Sequence, residues 1–169
     1  QEIQPPIEKK QDGGFKIYFG EVADSLRTVK KRTISDLEKK GFIVLSGVPP
    51  PEESEAHEKK AKEEIVKAGL AIHLLDQYPG REIVGSEEIF YPQKQAELSL
   101  HFAKAKAIWV PAEMEIENVE EESYKLFLKE LEAGIPSVEK YEFIRGSKST
   151  LTQEITDLAE LLKAQSQPK

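Results

Sequence analysis

The chain contains no cysteine. It therefore has no disulfide, no thiolate nucleophile and no sulfur-ligated metal, which fits a reducing compartment. No apolar run approaches the ~20 residues that cross a bilayer, and no signal-peptide pattern opens the sequence. A cytoplasmic protein is the expectation. Positive charge is also in deficit, since 24 Lys and Arg face 31 Asp and Glu for a net charge of −7. Nucleic-acid and anionic-membrane surfaces need clustered cations, so neither partner is expected. The short run Lys30-Lys31-Arg32 reads as a solvated helix face. Histidines number three, His57, His73 and His101, and their spacing matches no metal-ligand pattern.

What is present is a rhythm of short apolar runs. Ile17-Tyr18-Phe19, Phe42-Ile43-Val44-Leu45, Leu70 to Leu75, Ala107-Ile108-Trp109-Val110 and Tyr141-Glu142-Phe143-Ile144 alternate with polar segments long enough to be helices. Continuous rather than alternating apolar residues suit strands covered on both faces by crossover helices. The intervening segments carry helix punctuation. Leu26, Val29, Thr33 and Leu37 share one face of a helix predicted over Asp24 to Lys40, ending at Gly41. Gly69 closes a helix from about Ser54 to Ala68, and Gly134 one from about Val119 to Ala133. In the last helix Leu151, Ile155, Leu158 and Leu162 recur at helical spacing, and Thr150 with Gln153 can form a capping box.

Five strands each followed by a helix predict one α/β domain with 38% hydrophobic content for its core. The expected architecture is a flavodoxin-like three-layer sandwich around a five-stranded parallel sheet in order 2-1-3-4-5. Residues 1–14 read as a linker, 15–165 as the domain and 166–169 as a flexible tail. The connections leaving strands 2, 3 and 4 are long, which collects elaborated loops on the carboxyl edge where such sheets bind ligands.

Those loops discriminate among flavodoxin-like families. After strand 1, Gly20-Glu21-Val22-Ala23-Asp24-Ser25 places acids where a flavin phosphate would sit, which disfavours FMN. A phosphoacceptor receiver would need an acidic pair after strand 1 and a lysine ending strand 5. Asp76 fits its acceptor, but Glu21 and Asp24 only approximate the pair, and Arg145 replaces the lysine. Across residues 16 to 165 the order of segments resembles the TIR (Toll and interleukin receptor) domain family in its bacterial form. The segments are Lys16 to Glu21, Leu37 to Val44, the proline-rich Val48-Pro49-Pro50-Pro51, and Glu64 to Leu75. Gln93-Lys94-Gln95-Ala96-Glu97-Leu98 then precedes Ala107 to Pro111. Gln93 departs from the family's tryptophan, Ser46 from its aspartate after strand 2, and the prolines from its loop glycine.

The resemblance implies an NAD+ nucleosidase that needs no cofactor and has Glu97 as its catalytic carboxylate. It implies self-association through TIR contacts, a fused or partner sensor domain, and a role in bacterial antiviral defence. Two alternatives stay open: a TIR module that signals by self-assembly without catalysis, and an enzyme similar to nucleoside deoxyribosyltransferases. The helix following strand 3 begins at the carboxyl edge with Pro92 in its first turn. Ala96, Leu100 and Ala103 form its buried stripe, so Glu97 can face the crevice or stand as a solvated glutamate.

Substrate contacts are expected from Phe19, Gly20, Glu21, Asp24, Pro49, His57, Tyr78 and Arg81. Tyr78 can stack on a base and Arg81 can meet a phosphate, although a mobile lid or a subunit contact explains the same composition. Glu21 and Asp24 can border the ribose or cap the first helix. His57 can line the crevice but reads more simply as a surface histidine. His73 reads as a packed histidine, and His101 as an i, i+4 neighbour of Glu97. The acidic stretch Glu113 to Glu122 reads as a solvated loop and helix start.

Overall fold

A computed structural model describes residues 14–46, 54–83, 89–138 and 140–166. Its five strands are β1 (Lys16–Phe19), β2 (Ile43–Leu45), β3 (Leu70–Leu74), β4 (Lys106–Pro111) and β5 (Glu142–Gly146). The helices are α1 (Arg27–Lys39), α2 (Ser54–Lys67), α3 (Tyr91–Phe102), α4 (Glu122–Ala133) and α5 (Lys148–Ser166). All strand pairs are parallel, in order β2-β1-β3-β4-β5. This is the flavodoxin-like sandwich that the rhythm of the sequence predicts.

Each central strand is apolar on both faces, and its alternate residues feed different helical layers. Ile17, Phe19, Leu70, Ile72, Leu74 and Trp109 pack with Val29 and Leu37 of α1 and with Leu151 and Ile155 of α5. Tyr18 and Ala71 turn the other way, onto Ala61 and Ile65 of α2 and Leu98 of α3. Ile108 and Val110 meet Ala96 and Leu100 of α3 and the Tyr124, Phe127 and Leu128 face of α4. Burying one such large side chain contributes about 1.5–3 kcal/mol, so removing water from both faces drives the layered arrangement.

Local boundaries depart from the sequence expectation in instructive ways. Asp24–Leu26 forms a separate 3-10 turn before α1, because the Leu26 amide bonds the Ala23 carbonyl. Gly41 and Gly134 do adopt left-handed φ, +94° and +97°, as helix-ending glycines should. Gly69 does not. A Cβ there would lie 2.5 Å from the Phe15 ring, so Gly69 is constrained by close approach instead. The helix expected from Val119 begins at Glu122, since Ile116–Asn118 forms another 3-10 turn that buries Ile116. The capping box does not form: Gln153 donates to Asp157 at 2.8 Å, while the Thr150 amide bonds the Ser147 carbonyl at 3.2 Å. Nor is the acidic stretch wholly solvated, for Met114, Ile116 and Val119 anchor it in the core.

Among the described residues no helix is long and apolar enough to cross a membrane, and no group of three His, Asp or Glu side chains is arranged to hold a metal.

Candidate functional site

In this strand order β1 and β3 are neighbours whose following connections leave in opposite directions. A crevice opens at their carboxyl ends, at the topological switch point. A cavity of about 590 Å³ lies there between the segment Glu21 to Arg27 and the segment Tyr78 to Arg81. The side chains around it are chemically diverse. Tyr78 exposes 59% of its surface. Arg81 approaches Glu21 at 3.8 Å while its guanidinium covers the Tyr91 ring at 5.6 Å. Lys30 holds the Glu21 carboxylate from the other side at 3.3 Å; burial lowers the Lys30 pKa, and the Glu21 charge counters that. Arg27 and Asp24 pair at 2.6 Å on the rim, and the Ser25 hydroxyl donates to Asp76 at 2.6 Å.

Beneath the crevice runs a buried polar layer built on one face of α3. Gln95 and Ser99, one turn apart, are both fully buried. The Gln95 carbonyl oxygen accepts the Glu21 backbone N–H at 2.6 Å, and its amide nitrogen donates to His57 Nε2 at 2.9 Å. These two bonds fix the amide's orientation and require an unprotonated Nε2 on His57. Ser99 Oγ lies 2.6 Å from His73 Nε2. Burial, assisted by the charge of Lys30, pushes the His73 pKa down to about 3, so this imidazole is neutral at ordinary pH. The other His73 nitrogen faces Gly20, where any Cβ would clash with the ring. Glycine at position 20 therefore leaves room for a buried histidine rather than for a turn.

The expected site residues divide accordingly. Glu21, Asp24, Tyr78 and Arg81 line the crevice. Gly20 and His57 belong to the layer below it. His57 is fully buried, with its ring 4.8 Å from that of Tyr91, which corrects the reading as a surface histidine. Phe19 is fully buried in the core and touches no crevice. Pro49 lies outside the described residues.

Glu97 is elsewhere. Two residues beyond Gln95, at about 100° per residue, it falls on nearly the opposite side of the helix. There it accepts from Gln93 at 3.1 Å and lines a cavity of about 680 Å³ between α3 and α4, with His101, Phe127, Glu130 and Ile135. That groove is roomier than the crevice. Both hollows gather polar side chains, Glu58, Lys94, Glu97 and His101 in the groove and Glu21, Asp24, Arg27 and Arg81 in the crevice, but the crevice alone stands at the switch point where open parallel sheets bind ligands.

Two participants escaped the sequence reading. Gln95 sits inside the very segment that carries Glu97, and its pairing with Ser99 at i, i+4 is the signal for a buried polar stripe. Asp76 reads from the sequence only as a phosphoacceptor candidate. It instead ties β3 to β1 through Ser25 and, by its carbonyl, receives the Tyr124 hydroxyl at 2.5 Å.

Comparison with protein-family models, with curated proteins and with solved structures gives no match to this chain.

Proposed function

We propose that this chain is a TIR-like NAD+ nucleosidase whose dinucleotide sits in the switch-point crevice. The observation that carries the reading is the meeting there of an exposed aromatic ring, two guanidinium groups and a half-buried carboxylate: Tyr78, Arg27, Arg81 and Glu21. An aromatic face suits a base, guanidinium groups suit phosphates, and carboxylates suit ribose hydroxyls. FMN and phosphoacceptor chemistry find less support, because acids occupy the phosphate-loop positions and Arg145 is bonded to Glu132 at 2.7 Å.

Cleavage of the nicotinamide–ribose bond needs little apparatus. The leaving group is cationic in the substrate and departs neutral, so no general acid is required. Positive charge develops on the ribose, as in glycoside cleavage. A fixed carboxylate beside it stabilises that charge more in the transition state than in the substrate. Within a single copy the crevice supplies Glu21 for this role. Arg81 holds it only loosely, at 3.8 Å, and an arriving phosphate competes for that guanidinium. Water attack then gives ADP-ribose, and attack by a group of the same nucleotide gives a cyclic isomer. The reading carries with it a cytoplasmic setting and an attached or partner sensor that gathers copies together.

One observation favours a second reading, a self-assembly module. The α3–α4 groove sets Glu97 beside apolar Phe127, Ile135 and Val138, a composition suited to a protein contact. Nicotinamide release by clustered protein separates the two. Turnover lost in Glu21→Gln supports the crevice; turnover lost only in Glu97→Gln moves the chemistry to the groove; no turnover in any form favours assembly alone.

A further inference from the structure

At the amino edge of the sheet, the end opposite the crevice, two hollows of about 460 and 690 Å³ adjoin and share Lys104, Leu162 and Gln165. Lysines dominate their rim. Lys16 opens β1, Lys67 ends α2, Lys104 follows α3, Lys106 opens β4, and Lys140 precedes β5. Glu142 is the one acid lining either hollow. In a chain with 31 acidic and 24 basic residues, this patch inverts the overall balance.

Seven cations, Lys30, Lys94, Lys125, Lys129, Arg27, Arg81 and Arg145, meet carboxylates. Helix-surface cations such as Lys31, Arg32 and Lys39 form no such pair among the described residues, so what sets the amino edge apart is that five lysines gather there. None of the five amino-edge lysines makes an ion pair among the described residues, and Lys106 alone is bonded, to the Ala103 carbonyl at 3.3 Å. Helix dipoles account for Lys67 and Lys104, which stand at helix C-termini where cations are favourable. They do not account for Lys16, Lys106 and Lys140, which precede strands.

Apolar surface lies among these charges. Phe15 and Tyr141 flank the hollows, and Leu161 is 55% exposed beside Leu162. From β1 to β5 the strand order gives three interstrand spacings, roughly 14 Å in all, a length matched by about four or five extended residues. We propose that this hollow docks a short, extended acidic segment of a partner protein. Its carboxylates meet Lys16, Lys67, Lys104 and Lys140, while the buried Lys106 stays on the Ala103 carbonyl, and its alternate apolar side chains rest on Phe15, Tyr141 and Leu161. A nucleic-acid strand or a membrane fits less well, because a long polyanion or a flat anionic surface would also meet the negative remainder of the molecule.

Fluorescence anisotropy of a dye-labelled five-residue peptide alternating glutamate and leucine, titrated with the whole chain, tests this directly. Binding is expected to weaken steeply from ~50 to ~200 mM salt. Lys104→Glu combined with Lys140→Glu should reduce affinity at least about tenfold, while Lys31→Glu with Arg32→Glu on α1 should leave it unchanged. Thermal melting checks folding, and Lys104→Gln with Lys140→Gln replaces the reversed pair if that pair melts early. Absence of peptide binding overturns the proposal, as does an equal loss in the α1 control. It is overturned too if anionic vesicles bind where the peptide does not, or if the same lysine pair abolishes self-association in place of peptide binding. None of these outcomes depends on NAD+ turnover, so the proposal stands or falls apart from the nucleosidase reading.

Discussion

The two faces of α3 were written by the same dozen residues and do opposite things. One face, Gln95 and Ser99, is fully buried and bonded to the β1 loop and to two histidines. The other carries Glu97, which accepts from Gln93 one turn earlier and borders an open groove. A buried polar group costs roughly 1–3 kcal/mol if left unpaired, so the first face is held in one arrangement, whereas the partly exposed Glu97 can exchange its bond with water. Preorganisation belongs to the inner face, and a carboxylate on the outer face lacks it unless another molecule closes over it.

The sharpest way to break this contrast is a pair of charge-removing substitutions. Glu21→Gln should lower nicotinamide release by two to three orders of magnitude, about 3–4 kcal/mol in activation free energy, while Glu97→Gln should leave release within a few-fold of wild type. Reversal of that order under clustering conditions would relocate the chemistry to the outer face.

A smaller effect is expected from Gln95→Ala, which orphans the Glu21 amide and His57 Nε2 and leaves a cavity. It should destabilise the domain by about 2–4 kcal/mol in denaturant titrations. A cost below about 0.5 kcal/mol would mean that the inner face is not held as described.

Next comes pH. His73 keeps a neutral ring in the folded state, with its pKa lowered to about 3 from the ordinary imidazole value of 6.5. The unfolded chain therefore takes up a proton below about 6.5 that the folded chain refuses, and stability falls as pH drops from there toward 3. His73→Gln should flatten the upper part of that slope, between pH ~6.5 and ~5, in urea melts at successive pH values. An unchanged slope would show that other groups dominate it.

The smallest change belongs to the outer face. Glu97→Gln should shift the melting free energy by less than about 0.5 kcal/mol, as expected of a partly exposed side chain without a buried partner.

The fold was legible because doubly covered strands must be continuously apolar, and residues such as Ile72 and Ile108 announce that without regard to loops. Element ends were less legible. The start of α4 was displaced from Val119 to Glu122 by Ile116 and Val119, whose core contacts override helix periodicity. Of the site, Glu21, Asp24, Tyr78 and Arg81 were visible through their position after β1 and β3, which the strand order brings together. Gln95 was not, and His57 was legible as a crevice candidate but not as a buried partner, because nothing local reveals that α2 and α3 approach closely enough to pair a histidine with an amide. Gln95 and Glu97 reach different surroundings from one segment, because a two-residue step is enough to cross a helix.

The orientation of the Gln95 amide carries a consequence for engineering. An amide offers one accepting and one donating end, and here each end has its own partner. A carboxylate of the same shape keeps only the accepting end, so Gln95→Glu would hold the Glu21 amide yet face a His57 lone pair with an oxygen. A neutral His57 relieves this by carrying its proton on Nε2 in place of Nδ1, so that Nε2 donates to the carboxylate. One atom exchanged beneath the crevice would thus reverse the direction of the bond to His57 and select the opposite tautomer of that ring, while the Glu21 amide keeps its acceptor.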